Sequence, residues 1–146
     1  MEVEIEQVGR EKKELVLIRC HAVTDEVREI AAYVKSRQGS LTGIKDSNQY
    51  EIATSDIYYI ESVDGRTFIY TKKQIYETPN RIYELESRLE EKNFLRISKS
   101  MLLNLMKISS IRPALNGRFT AVLQSGEEVI ISRSYVKGLK AALKRG

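Results

Sequence analysis

Ile57-Tyr-Tyr-Ile-Glu-Ser-Val-Asp64-Gly65-Arg-Thr-Phe-Ile-Tyr70 decides how this chain folds. Two runs rich in Ile, Tyr, Val, Phe and Thr flank an Asp-Gly pair. β-Branched and aromatic residues fit a pleated, half-buried surface. Asp-Gly fits a type I′ turn, which needs positive φ at both central residues. The stretch therefore predicts a hairpin with its tip at Asp64-Gly65. The device recurs downstream, where Asn116-Gly117 divides residues 108–115 from 119–123 and Ser125-Gly126 precedes Val129-Ile-Ile131. Upstream, Leu41-Thr-Gly-Ile44 and Tyr50-Glu-Ile-Ala53 flank the turn Asp46-Ser-Asn48. Pro113 has no N–H for a ladder, so its strand is expected at a sheet edge or bulged.

Two helices interrupt these strands. Asn80 is placed to cap the first, with Ile82, Leu85 and Leu89 on one face and Arg81, Glu84, Arg88 and Glu91 on the other. The second starts near Ser134, with Val136, Leu139 and Leu143 inward and Lys137, Lys140, Lys144 and Arg145 outward. Its late cations suit the negative end of the helix dipole. From residue 40 onward the expected fold class is mainly β with a few helices, an α+β arrangement.

Residues 1–39 read differently, as a small ββα unit. Val3 and Ile5 alternate with Glu2, Glu4 and Glu6 as in a half-buried strand, and Leu15–Ile18 form a short apolar run. Thr24-Asp25-Glu26 supplies a helix start, Val27, Ile30, Ala31 and Val34 one helical face, and Gly39 a stop. Such a unit buries too little to stand alone, so it is expected to pack on another surface.

The chain has 146 residues, 42% hydrophobic and 30% charged, a globular balance with room for one domain and a small appendage. No run approaches the ~18 apolar residues of a membrane span. Met1-Glu-Val-Glu-Ile-Glu lacks the basic start of a secretory signal, and Cys20 is the one cysteine, so a cytoplasmic setting is expected. The net charge of +4 is unevenly spread. Residues 1–40 carry −1, residues 41–90 carry −3 and residues 91–146 carry +8. A local basic excess is the footprint of a phosphate-backbone binder, and equally of a solvated basic surface.

Enzyme chemistry finds little to work with. His21 stands beside Cys20, and neighbours on a strand point to opposite faces, against a Cys–His pair. A metal site needs more ligands than these two. No Gly-rich phosphate loop is present. Ser98-Lys99-Ser100 lacks the Ser-x-x-Lys spacing of a Ser–Lys dyad. Glu61 and Asp64 flank a solvated hairpin turn, where nothing apolar would raise a carboxyl pKa. No catalytic residue, metal or cofactor is expected.

Several pieces resemble one family in order. Ile57-Tyr-Tyr-Ile-Glu61-Ser resembles the strand that opens a LytTR domain. The helix with Ile82-Tyr-Glu-Leu-Glu86 is similar to the family's mid-domain helix. Phe94-Leu-Arg96-Ile-Ser-Lys99-Ser100-Met-Leu-Leu-Asn104-Leu resembles its best-marked motif, and Ile108-Ser-Ser-Ile111 the strand that follows. Gly126-Glu…Ile130-Ile-Ser132-Arg133-Ser-Tyr135 resembles the closing motif ahead of the terminal helix. The likeness covers about residues 41–144. Position 98 is often His in the family and is Ser here, so no role of that His carries over.

The resemblance implies a bacterial transcription regulator. Its residues 40–146 would be a DNA-binding domain built as a stack of small antiparallel sheets. The family places loops in successive major grooves of direct-repeat sites in double-stranded DNA, commonly as two copies, and bends the site. The corresponding loops are Asp64-Gly65-Arg66, Ser98-Lys99-Ser100 and Ser132-Arg133-Ser134. About 40 residues precede the core, too few for a phosphoacceptor receiver domain, so the layout resembles short regulators restrained by a small membrane protein. That inhibitor, RNA polymerase and a second copy, at least on DNA, are the partners implied beside DNA. The ββα unit of residues 1–39 would supply a dimer or partner contact.

Residue chemistry supports the same loops independently. Arg133 suits bidentate donation to guanine, and Lys99 a less selective contact. Ser98, Ser100, Ser134 and the start of the last helix suit phosphate oxygens. Lys137 and Lys140 would add affinity without sequence information. Arg66 stays open between a DNA contact and an ordinary solvated turn arginine. Arg96 and Asn104 read as structural, Asn104 as an amide that ties down a loop. Tyr58, Tyr59 and Tyr70 read as sheet packing ahead of a single-strand stacking platform. An RNA-binding module and a protein–protein β module are the remaining alternatives.

Overall fold

The computed structural model describes residues 1–144. Arg145, expected among the outward cations of the last helix, lies outside the described residues. The first helix, α1 (Asp25–Ser36), begins where the sequence says it should. Thr24 Oγ1 accepts from Val27 N at 3.4 Å, and Asp25 and Glu26 occupy the first turn. Gly39, at φ +86°, turns the chain beyond it.

The two strands expected ahead of α1 do not form, which corrects the ββα reading. Residues 1–24 hold no strand, only a turn in which Lys12 N donates to Gly9 O at 3.1 Å. Val3 and Ile5 are 87% and 95% exposed, so their alternation has no surface to bury against. A two-stranded hairpin without a covering layer is marginal in water. The helix does find a surface. Val27 is buried, and Asn93 Nδ2 donates to Ala32 O at 3.4 Å.

Ten strands follow: β1 (Ser40–Lys45), β2 (Asn48–Ala53), β3 (Ile57–Val63), β4 (Arg66–Thr71), β5 (Ile75–Thr78), β6 (Phe94–Ser98), β7 (Met101–Asn104), β8 (Ile108–Pro113), β9 (Phe119–Leu123) and β10 (Glu128–Ile131). Helix α2 (Ile82–Leu89) lies between β5 and β6, and α3 (Val136–Lys144) closes the chain. Seven strands form one sheet in the order β2-β1-β5-β4-β3-β7-β6, and three form a second in the order β10-β9-β8. The pairings in both sheets are antiparallel.

The turns have the backbone the sequence asked for. Asp64 and Gly65 take φ of 51° and 77°, and Asn116 and Gly117 take 62° and 75°. Asp46 and Ser47 both have positive φ and join β1 to β2. β8 is an edge strand, which accommodates Pro113. One cap is corrected. The N-cap of α2 is Arg81, whose N–H donates to Glu84 Oε1 at 3.2 Å, while Asn80 Oδ1 accepts from Thr78 Oγ1 at 3.3 Å. The Glu three residues on satisfies the end of the helix, so Asn80 is free to close the turn before it.

The larger sheet is covered on both faces. One core joins Ile57, Ile60, Ile69, Phe94 and Leu102 to Ile82, Leu85 and Leu89 of α2. The other joins Tyr58, Tyr59, Ile97 and Leu103 to Ala121, Leu123, Val129 and Ile131 of the second sheet and to Leu139 of α3. A register shift between Ile57 and Tyr59 lets β3 send Ile57 and Ile60 to one core and both tyrosines to the other. Arg96 lies half-buried beside α2, its NH1 3.5 Å from Glu86 Oε1. That is the structural placement its sequence context favoured.

Candidate nucleic-acid interface

Two backbone hydrogen bonds gather the three sequence-predicted loops at one end of the molecule. Ser62 N donates to Ser100 O at 2.8 Å, which sets the β6–β7 tip, Lys99-Ser100, beside the β3–β4 tip at Asp64-Gly65. Ser132 N donates to Ile97 O at 2.9 Å, which sets the Ser132-Arg133-Ser134 segment against the last turn of β6. The first bond lies within the larger sheet and the second ties that sheet to the segment after β10, so the relative placement of the loops is fixed by the core.

Lys99 stands exposed at its tip, with no ion pair or hydrogen bond among the described residues. The tip itself is closed by Ser98, whose Oγ accepts from Ser100 N at 3.2 Å and lies 3.4 Å from Ser100 Oγ. Ser98 and Ser100 are half-buried, so their hydroxyls serve the turn first. Arg133 is exposed and likewise unpaired among the described residues, and Ser134 is exposed beside it. A short 3-10 turn, in which Tyr135 N donates to Ser132 O at 2.9 Å, leads from Arg133 into α3. Lys137 is exposed on the first turn of α3. Lys140 holds its Nζ 5.0 Å from the centroid of the Phe119 ring.

Arg66 is differently placed. Its Nε and NH2 donate to the two carboxylate oxygens of Glu77 on β5, at 3.0 and 2.6 Å. Its guanidinium also lies 5.2 Å from the Phe68 centroid. The arginine holds the Glu77 carboxyl below the usual carboxylate range, so both charges persist at neutral pH. Arg66 therefore reaches the loop end as half of an ion pair.

Sequence reasoning missed a fourth element here, the β8–β9 turn. Arg133 lies across it so closely that a Cβ on Gly117 would sit 2.8 Å from Arg133 Cδ. Arg118 extends from the same turn, exposed, its Nε donating to Leu115 O at 3.1 Å. Asn116-Gly117 was legible as a turn, but its contact with a residue 16 positions on was not.

Tyr58, Tyr59 and Tyr70 pack inward. Tyr59 and Tyr70 stack with centroids 4.3 Å apart at 17°. Their hydroxyls donate to Glu127 Oε2 at 3.0 Å and Glu61 Oε1 at 3.4 Å. Tyr58 and Tyr59 are buried, so no flat platform for unpaired bases is presented by them. No helix among the described residues is long and apolar enough to cross a membrane.

A stack of antiparallel sheets that offers cationic turns at one end defines a loop-presenting β domain. The LytTr DNA-binding domain family matches residues 47–144. The chain belongs to that family, one of DNA-binding domains rather than of enzymes. The transcriptional regulatory protein YpdB of Escherichia coli K12 is 35% identical over 108 residues, 73% of this chain and 44% of that protein. The sensory transduction protein LytT of Bacillus cereus is 33% identical over 89 residues, 61% of this chain and 36% of that protein. The chain thus spans less than half the length of these relatives. A solved LytTr DNA-binding domain from Bacillus cereus superposes with a TM-score of 0.69 at 23% identity, covering 73% of this chain and 97% of that one, which establishes the shared fold.

Proposed function

We propose that this chain is a sequence-specific transcription regulator of bacterial, cytoplasmic type that binds double-stranded DNA through the loop end just described. The observation that carries the reading is the convergence of Lys99 and Arg133, both exposed and unpaired, on one end of a rigid two-sheet core. Arg133 reads a guanine edge bidentately, Lys99 makes a less selective contact, and Ser100 and Ser134 hold phosphates. Lys137 and Lys140 add backbone affinity. Ser98 contributes through the shape of its turn, and Arg66 joins only when it leaves Glu77. The loops enter successive major grooves of direct-repeat sites, bound by two copies.

Residues 40–146 form the DNA-binding unit in this reading. Residues 1–39 supply the contact to a second copy or to a partner, since Val3, Ile5 and Leu15 stand exposed in a segment of strand-like pattern. A small inhibitory membrane protein and RNA polymerase are the partner classes to test there.

Selection from random duplex DNA, followed by binding at several salt concentrations, tests the function. The expected result is an enriched direct repeat with about 10–12 bp between half-site centres, near one helical turn, and affinity that falls steeply with salt. Absence of any enriched duplex motif overturns it. The inward-facing tyrosines give no support to a single-strand or RNA reading.

A further inference from the structure

At the other end of the β3–β4 hairpin the surface forms an open depression. A cavity of about 430 Å³ is lined by Tyr50, Tyr58, Tyr76, Lys72, Lys73 and Lys107, with Glu51 and Asp56 on its wall. It lies where β3 begins and β4 ends, while the DNA-facing tips lie where β3 ends and β4 begins. Seven residues of strand separate the two, on the order of 20 Å.

The depression gathers aromatic and cationic side chains. Tyr58 is 7% exposed, yet no group among the described residues hydrogen-bonds its hydroxyl. That hydroxyl keeps contact with solvent, and Tyr58 is one of the residues that line the cavity. Lys107 lays its ammonium 5.0 Å from the Tyr58 centroid, which holds the cation over the ring.

Lys72 and Lys73 are presented by a closed turn, in which Thr71 N donates to Gln74 O at 2.9 Å and Gln74 N donates to Thr71 Oγ1 at 3.1 Å. None of the three lysines forms an ion pair among the described residues. Glu51 accepts from the hydroxyls of Ser40 and Thr42, at 2.9 and 2.7 Å, which hold it ionised, so it and Asp56 set two negative charges against the three lysines. Tyr50 and Tyr76 pack with centroids 5.4 Å apart and supply an aromatic wall. The volume lies within the common range for small-molecule sites.

We propose that this cavity binds a small anion carried on a flat ring, a phosphorylated or carboxylated aromatic compound. The lysines and the Tyr58 hydroxyl hold the anion, and Tyr50 and Tyr76 pack on the ring. The site is separate from the DNA-facing loops, and the proposal stands whether or not those loops read DNA.

The test uses the whole chain, titrated by calorimetry and by amide NMR with adenosine monophosphate and with benzoate, one arm for each anion. Adenosine and inorganic pyrophosphate serve as comparisons without the anion and without the ring. The expected result is saturable binding of either probe, with shifts at Tyr58, Lys72 and Lys107, about tenfold tighter than either comparison. Lys107→Ala and Tyr58→Phe should each weaken it by about fivefold at unchanged melting temperature. No saturation of either probe by about 10 mM overturns the proposal. So do equal affinity for adenosine, shifts centred on Lys99 and Arg133, displacement by duplex DNA, or indifference to Lys107→Ala in a protein that melts normally.

Discussion

Asn104 holds the start of β3 in place. Its Nδ2 donates to Ile57 O at 2.8 Å across 47 residues of chain, while its Oδ1 accepts from Met106 N at 3.0 Å. The side chain is 1% exposed, so no water substitutes for either bond. Asn104→Ala leaves a buried carbonyl and an amide without partners and should cost about 2–4 kcal/mol. Urea unfolding measures this. A loss below about 0.5 kcal/mol would be a neutral surface effect and would contradict the role.

How much of this was legible beforehand depends on the range of the interaction. Asp64-Gly65 and Asn116-Gly117 carry their backbone preferences within two residues, so both turns were readable from sequence. The loop function of Asn104 was readable too, because an amide among leucines needs a local partner. Residues 1–24 misled because alternation shows what a strand could bury, and only tertiary structure shows whether a surface is there to receive it. β5, a four-residue strand without turn residues of the I′ type around it, gave no separate signal. At the candidate site, the three loops were named from motif and charge. Their convergence through Ser62–Ser100 and Ile97–Ser132 was not, nor was the Glu77 partner of Arg66, since both depend on strand order. The register shift at Tyr58 is likewise invisible to a period-two reading of β3.

Tyr59 gives the fold an alkaline limit. Burial, the bond to Glu127 and the neighbouring charges of Glu127 and Glu61 push its phenol far above the ordinary value of 10.0. A raised pKa on an acid that is neutral when folded stabilises the fold fully below the unfolded value. That stability is lost as pH rises from about 10, where the unfolded tyrosine ionises and the folded one does not. Stability should therefore decline above about pH 10, with a smaller slope in Tyr59→Phe. Denaturant midpoints measured from neutral to alkaline pH check this. An identical slope in the variant would remove Tyr59 as the cause.

Gly117 and Gly126 separate backbone strain from contact. Both have positive φ, 75° and 90°, so alanine at either site should cost about 1 kcal/mol or more. A Cβ at Gly126 meets nothing within 4 Å, whereas one at Gly117 meets Arg133 Cδ at 2.8 Å. Gly117→Ala should therefore displace Arg133 and weaken specific DNA binding, and Gly126→Ala should not. Equal binding by the two folded variants would show that the turn does not position the arginine.

The Arg66–Glu77 pair decides whether Arg66 takes part in binding. Glu77→Gln releases the guanidinium and removes a negative charge near the loop end. DNA affinity should rise by about two- to fivefold, the scale of an exposed ion pair. Arg66→Ala in the Glu77→Gln background should cancel that gain if Arg66 contacts DNA. A gain that persists assigns the effect to the removed charge alone and leaves Arg66 a structural partner of β5.

Arg133 and Lys137 should differ in kind. Arg133 is proposed to donate to a base edge, so Arg133→Ala should cost about 1–3 kcal/mol on the selected site and relax one base position. Lys137, exposed on α3, is proposed to meet the phosphate backbone. Lys137→Ala should weaken all duplexes by a similar factor and lower the slope of log affinity against log salt by about 0.9. Fluorescence anisotropy on the selected site, a single-base variant and an unrelated duplex, across a salt series, separates the two. Arg133→Ala would have to lose affinity equally on all three duplexes for the base-reading role to fail. Lys137→Ala would have to leave the salt slope unchanged for the phosphate role to fail. The distinction rests on geometry. Arg133 projects from a turn that the second sheet and β6 hold rigid, as a base-reading side chain requires. Lys137 extends from a helix surface, where a flexible ammonium meets a phosphate without needing a fixed angle.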